Sequence, residues 1–314
     1  PPVSPEPESR LYATPTGQLH TSFGSETVTS LNLRLAAELY GKSVGVKAVT
    51  IEQLAPAVAK RLGLSMAAAP ASWTPGETKQ GELWKTVEGV AQPEGGEPVT
   101  ATLYDPSKAP RGTIVYSGPS ADAQSLAGAG WRVMAVRLRG FSSPVRPGQS
   151  GYSPVYQFSA RAWLLGENVP AWAVEDLRAA IAAARTLPGA GKILLIGRGG
   201  AGVIALLASA LDRDLAGVAM ENSALSYMDY CRAAVHTGLA ELVIPGVLKD
   251  FDLPDIARLT ARRLLVASPV TPMGGAMPPN QIPAWAKQYG GALFAERVEG
   301  QSAAAFYEPW LNGR

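Results

Sequence analysis

One pattern constrains the fold of this chain more than any other. Short apolar runs, each followed by a stretch of helical periodicity, recur from the middle of the sequence to its end. In chain order the runs read "GTIVYSG", "WRVMAVRL", "KILLIG", "LAGVAME", "RRLLVAS" and "ALFAERV". Strands that short and that uniformly apolar belong in a mainly parallel sheet covered on both faces by helices. The intervening helices are expected from Ala121 to Gly130, from about Pro170 to Thr186, over "GVIALLASAL", and near Ile282 to Tyr289. Pro170 suits a first helical turn, where its missing N–H costs nothing, and Val174, Leu177, Ile181 and Ala184 share one face. An irregular segment is expected between "WRVMAVRL" and Pro170. Ahead of the first run, "LWKTVEGV" and "VTATLYD" flank a Pro-Gly-rich turn and predict a hairpin.

Residues 1 to about 30 read as extended, and "VTSLNLRLAAELYG" as a short helix ending at Gly41. Thr50 with Gln53 forms a capping box. Behind it Ile51, Leu54, Ala55, Val58 and Leu62 fall on one face, and Gly63 stops the helix. Ala67 to Gly81 is small, polar and Pro-containing, which predicts a loop. The chain thus divides into a linker and helical extension packed on the core (1–80) and an α/β domain (81–314). The opening "PPVSPEPESR" has no apolar segment of the signal-peptide kind and reads as a linker. It implies that a removed signal or an upstream domain precedes it.

With 46% hydrophobic residues the chain can build a sizeable core, and a formal charge of +2 is close to neutral for 314 residues. Arg262-Arg263 is a short basic cluster, and no basic stripe interleaved with aromatics argues for nucleic acid. No apolar run is long enough to span a bilayer. The single cysteine, Cys231, excludes an intrachain disulfide and a Cys-rich metal site.

The most informative local feature is "ILLIGRGGAGVIAL", a buried strand running through a glycine turn into an apolar helix. Gly197, Gly199 and Gly202 match G-x-G-x-x-G, and Glu221 ends the next strand where a ribose-binding acid would lie. That is the dinucleotide reading, although such a fingerprint normally sits in the first βα unit. The alternative is the nucleophile elbow G-x-S-x-G of an α/β-hydrolase sheet. Here Gly197 comes first, Arg198 second, Gly199 in the serine position, and Ala201 in the last small-residue position. Glycine adopts the strained elbow backbone at little cost but has no oxygen with which to attack a carbonyl. A tight turn with no chemistry is the third alternative.

Several stretches resemble the acetyl-xylan-esterase-like α/β hydrolases: "TPTGQLHTSFGSETVTSLNLRLAAEL", "GWRVMAVRLRGF", "WLLGENVPAWAVEDLRAAIAAART", "GRGGAGVIALLASALD", "ENSALSYMDY" and "IPGVLKDFDLPDIARLTARRLLVASPVTPMG". They span the chain from about residue 11 to 275. The resemblance implies an α/β-hydrolase fold with a mostly parallel eight-stranded sheet, helices on both faces, and the helical extension in front. It places the family's acid at Thr271 and its histidine at Gln301, after Gly300. Neither can serve: threonine cannot hold an imidazolium, and glutamine does not exchange a proton near neutral pH. With Gly199, the whole triad is missing. The reading is therefore a degenerate hydrolase domain needing no cofactor, acting as a binding, scaffolding or stabilising module of a polysaccharide-acting protein. An upstream hydrolase domain of the same polypeptide and a carbohydrate are the implied partners, in a secreted or cell-envelope setting. An active carboxylesterase with a non-standard nucleophile is the enzyme alternative.

The expected cleft involves Ser117, Gly118, Arg198, Gly200 and Ser223, with the Gly200 N–H as the retained oxyanion-type donor. Of the two histidines, His20 reads as surface or packing, and His236 lies five residues from Cys231, a poor helical spacing for a pair. Ser226 is a further loop serine. Glu175 and Asp176 point to different helix faces and do not form a catalytic acid pair. Trp131, Trp163, Trp172 and Tyr227 could stack on sugars if exposed, and otherwise fill the core.

Overall fold

The computed structural model describes residues 5–141, 154–260 and 264–313. Its strands are β1 (Ala71–Gln80), β2 (Trp84–Pro93), β3 (Val99–Pro106), β4 (Thr113–Ser117), β5 (Arg132–Val136), β6 (Ile193–Arg198), β7 (Gly217–Glu221), β8 (Leu264–Ala267) and β9 (Leu293–Ala295). They form one sheet in the order β1-β2-β3-β5-β4-β6-β7-β8-β9. The first three strands and the β3–β5 contact are antiparallel, and all neighbours from β5 to β9 are parallel. Each apolar run of the sequence is one of the parallel strands, and the expected hairpin is β2–β3.

Successive side chains on a strand face opposite sides, so two cores form. Val115, Met134, Leu195, Val218 and Val266 face a large core shared with the long helices. Ile114, Tyr116, Leu194, Ile196 and Leu265 face a smaller one with Leu126, Tyr307 and Trp310. The extension carries α1 (Leu19–Phe23), α2 (Val28–Gly41), α3 (Val44–Lys47) and α4 (Ile51–Leu62). The sheet is covered by α5 (Ser120–Gly128), α6 (Pro154–Leu164), α7 (Val169–Thr186), α8 (Gly200–Leu211), α9 (Tyr227–Arg232), α10 (Leu253–Thr260), α11 (Ile282–Gln288) and α12 (Ala303–Leu311). The Thr50–Gln53 capping box and the left-handed Gly63 stop of α4 are both present. Asn168 caps α7 through the Ala171 N–H.

Three expectations change. The segment read as a loop from Ala67 to Gly81 contains β1, a ninth strand added outside the expected eight. It is exposed along nearly its whole length and breaks register between Pro75 and Thr78. An edge strand of this kind tolerates proline and polar residues and buries no stripe, which is why no strand pattern shows. Residues 1 to about 30 are not extended throughout: a 3-10 turn (Glu8–Leu11) and α1 occur there, and neither buries a residue. The irregular segment holds α6, while its residues 142–153, like Arg262-Arg263, lie outside the described residues.

Candidate functional site

Gly199 ends the strand-to-helix connection between β6 and α8 with φ 63° and ψ −135°, a conformation that other residues adopt only under strain. Its N–H donates to the Glu221 carbonyl at 2.7 Å, extending the β6–β7 ladder by one rung. A Cβ built on Gly199 would meet nothing within 4 Å. The turn therefore has the geometry of an elbow and room for a side chain, but no side chain. The other two glycines of the G-x-G-x-x-G spacing serve packing. A Cβ on Gly197 would collide with the Ala201 carbonyl, and one on Gly202 with the Ser223 hydroxyl.

Thr271 and Gln301 are absorbed by their own turns. The Thr271 N–H and hydroxyl both donate to the Gly275 carbonyl, at 2.8 and 3.3 Å. Gln301 accepts the Val298 N–H on its Oε1 at 3.3 Å. Ser223 does not line the cleft as expected. It is buried beneath the turn, with its hydroxyl directed at the Gly199 carbonyl (2.8 Å) and the Glu221 carbonyl (3.0 Å). Ser226 donates to Asp252 at 2.5 Å and accepts from the Asp229 N–H as the cap of α9.

Beside the elbow lies a charge lattice that sequence reading did not find. Arg297, in the segment after β9, donates to Asp122 at 2.8 and 3.0 Å and to Glu221 at 3.1 Å. Arg198, next to Gly199, donates to Asp122 at 2.8 Å and lies 3.4 Å from Glu221. Tyr307 donates to Glu221 at 2.6 Å and Tyr116 to Asp122 at 3.2 Å. With its amide oriented toward Arg198, Asn222 accepts from that guanidinium at 3.2 Å. Two carboxylates and two guanidiniums cancel, and two phenols fill remaining acceptor sites. Burial pushes the Asp122 carboxyl up, but the hydrogen bond and charge of Arg297, with Arg198 and Tyr116, outweigh it and hold the group below its ordinary range. Glu221 is 1% exposed and engaged in this lattice, so it is not available to a ribose.

On the other side of Arg198 a cleft of about 350 Å³ opens at the carboxyl ends of β4 and β6. The connections from these two neighbouring strands run in opposite directions, and open α/β sheets bind ligands at such a point. Ser117, Gly118, Arg198 and Gly200 line it, together with Arg137 and Glu241. Phe141 packs on Gly200, where a Cβ would lie 2.6 Å from its ring. Burial raises the Glu241 carboxyl above its usual value. Arg137 and Glu241 carry no local signal in sequence, because only the fold brings their segments together.

The remaining candidates are accounted for locally. His20 bonds the Ser25 carbonyl, and His236 stacks edge-on against Tyr230. Cys231 lines another cavity with His236, but burial and the nearby Asp252 raise its thiol, which disfavours a thiolate. Asp176 is 1% exposed and ion-paired to Arg139, while Glu175 is exposed. Trp131 and Tyr227 are core residues. The Trp172 indole donates to Glu167, and Trp163 packs edge-on against Tyr156. Among the described residues no group of three or more His, Cys, Asp or Glu is placed to hold a metal, and no helix is long and apolar enough to cross a membrane.

A mostly parallel sheet with an elbow between a central strand and helix defines an α/β-hydrolase-fold protein. Solved structures share this fold. A Bacteroides fragilis protein assigned as an acetyl xylan esterase matches 89% of this chain over 85% of its own, with TM-score 0.67 and 14% identity. A methylesterase matches 90% of this chain over 68% of its own (TM-score 0.59, 15% identity). The acetyl xylan esterase of Paenibacillus sp. R4 matches 87% over 96% of its own (TM-score 0.51, 15% identity). The chain thus has the fold of acetyl-xylan-esterase-like hydrolases. No family profile matches its sequence, and no curated protein matches it by sequence.

Proposed function

We propose that this chain is a catalytically degenerate hydrolase of carbohydrate-esterase ancestry that binds a ligand without turning it over. The observation carrying this reading is the vacant elbow: Gly199 keeps the nucleophile's backbone and open space while offering no nucleophile. Thr271 and Gln301, the positions of the acid and base, are both tied into their own turns. Ser223 and Ser226 donate elsewhere, and Ser117 has no base beside it among the described residues, since His20 bonds the Ser25 carbonyl and His236 packs on Tyr230. We further propose that the domain scaffolds or stabilises a polysaccharide-acting partner, such as a hydrolase domain of the same polypeptide, outside the cytoplasm.

The purified chain is expected to release no p-nitrophenol from p-nitrophenyl acetate above the buffer rate and to leave a fluorophosphonate probe unbound. Turnover abolished by labelling of one serine would overturn the reading in favour of an esterase with a non-standard nucleophile.

A further inference from the structure

We propose that the cavity between α2 and α9 binds a small neutral aromatic alcohol, its ring against an aliphatic wall and its hydroxyl among Thr29, Asn32 and Tyr230. The site is separate from the cleft at the elbow and does not depend on whether that cleft is catalytic.

α2 packs against α9 and the 3-10 turn Val247–Lys249, and a cavity of about 310 Å³ is left at their junction. An apolar pocket of about 150 Å³ already holds benzene, so a ring with a substituent fits here. The 3-10 turn Ala240–Leu242 divides this cavity from the elbow cleft. Leu239 and Val243, which flank the turn, line the cavity, whereas Glu241 lines the cleft. With Ile244, Val247 and Leu248 they form the aliphatic wall. Tyr230 and His236 add an edge-on aromatic pair, with centroids 5.8 Å apart at 84°. A third ring extends such a pair favourably, which selects an aromatic ligand over an aliphatic one.

Charge is what the cavity lacks. Among the described residues no Asp, Glu, Lys or Arg lines it, so an ionised ligand would enter without a counter-charge, a costly transfer. Neutral hydrogen-bonding capacity is what it has. The hydroxyls of Thr29 and Tyr230 and the amide of Asn32 line it, and none bonds to a described residue. The Tyr227 hydroxyl, by contrast, is taken by the Leu242 carbonyl at 3.0 Å. Burial and the nearby Glu241 push the Tyr230 phenol up to about 12, so it stays a donor at neutral pH. Hydroxyls and amides both donate and accept, which suits a ligand hydroxyl that does the same. A sugar would press several hydroxyls unpaired against the aliphatic wall, and a plain hydrocarbon would leave the polar groups unused.

The test is calorimetric titration of the full chain with p-cresol, toluene, p-toluate and methyl glucoside. p-Cresol is expected to bind at least roughly tenfold more tightly than p-toluate or the glucoside. Tyr230→Phe should remove most of its margin over toluene, roughly three- to tenfold for one neutral hydrogen bond. Ala234→Trp, at an exposed lining position, should block the cavity without changing the melting temperature. Cys231 also lines the cavity and is the only cysteine, so N-ethylmaleimide labelling reads the site directly. Saturating p-cresol should slow that labelling several-fold in the wild-type chain and leave Ala234→Trp unaffected. No binding of p-cresol, equal binding of p-toluate, an unchanged margin in Tyr230→Phe, undiminished binding in Ala234→Trp, or labelling that p-cresol does not slow would each overturn the assignment. None of these signals involves ester turnover, so failure here and failure of the non-catalytic reading are told apart.

Discussion

A methyl group on Gly197 would run into the Ala201 carbonyl, which as backbone of the first turn of α8 cannot move without disturbing the helix. On Gly199 the same methyl group would meet nothing, and the cost would be backbone strain alone. The two substitutions should therefore separate in a denaturant melt. Gly199→Ala is expected to cost roughly 1–3 kcal/mol, the usual penalty for a strained non-glycine residue, and Gly197→Ala distinctly more. Gly199→Ser should fold with a similar loss. It should also remain inactive toward p-nitrophenyl acetate, because restoring the oxygen restores neither acid nor base; measurable turnover by this single variant would contradict the account of Thr271 and Gln301.

At the scale of elements, the charged members of the lattice tie four segments together: the start of α5 through Asp122, the ends of β6 and β7 through Arg198 and Glu221, and the segment after β9 through Arg297. Arg297→Met leaves two nearly buried carboxylates short of a partner, a change that typically costs about 3–5 kcal/mol. The pH dependence follows from Asp122. Its folded pKa is depressed, so its stabilising contribution is complete above the unfolded carboxylate value and is lost as pH falls through the lower folded value. The wild-type chain should lose stability across that acid range, and Arg297→Met should show a shallower loss in melts at successive pH values. The strands and the elbow were legible in sequence because each is a continuous stretch with its own pattern, as in "KILLIG" followed by the glycine turn. The lattice was not, since positions 122, 198, 221 and 297 meet only when the sheet is assembled. β1 was hidden for a different reason: its partly buried side chains are Ala71 and Trp73, the latter with its ring over Gly89 of β2, and two such positions leave no periodicity.

For the whole molecule, the extension is held by both packing and polar contacts. Leu54, Val58 and Leu62 of α4 are almost fully buried, and α4 packs on α8. Arg61 bonds Asp250 at 2.6 Å, Tyr40 bonds Asp255 at 3.1 Å, and Arg178 reaches back from α7 to the Ser65 and Met66 carbonyls at 2.8 Å. Glu8–Leu11 and α1 bury nothing. A chain starting at residue 27 should thus melt with the full-length protein. One starting at residue 67 would lose, besides four buried alanines, the three large core side chains Leu54, Val58 and Leu62, worth roughly 1.5–3 kcal/mol each and together comparable with the about 5–15 kcal/mol that keeps a domain folded. It should lack a cooperative melt.

The added edge strand has a consequence for how the sheet opens. β1 is bonded on one side only, mostly exposed, and interrupted at Pro75, so it can detach while β2 to β9 stay paired. Its amides bonded to β2 should exchange with deuterium well before those of β4, β6 and β7, whose protection should follow global unfolding. Each such opening uncovers the outer N–H and C=O groups of β2, a longer-lived edge that carries the buried Val87 and Ala91. β1 in its closed state shields that template from pairing with another copy, and its polar, proline-broken outer rim offers a poor one in exchange.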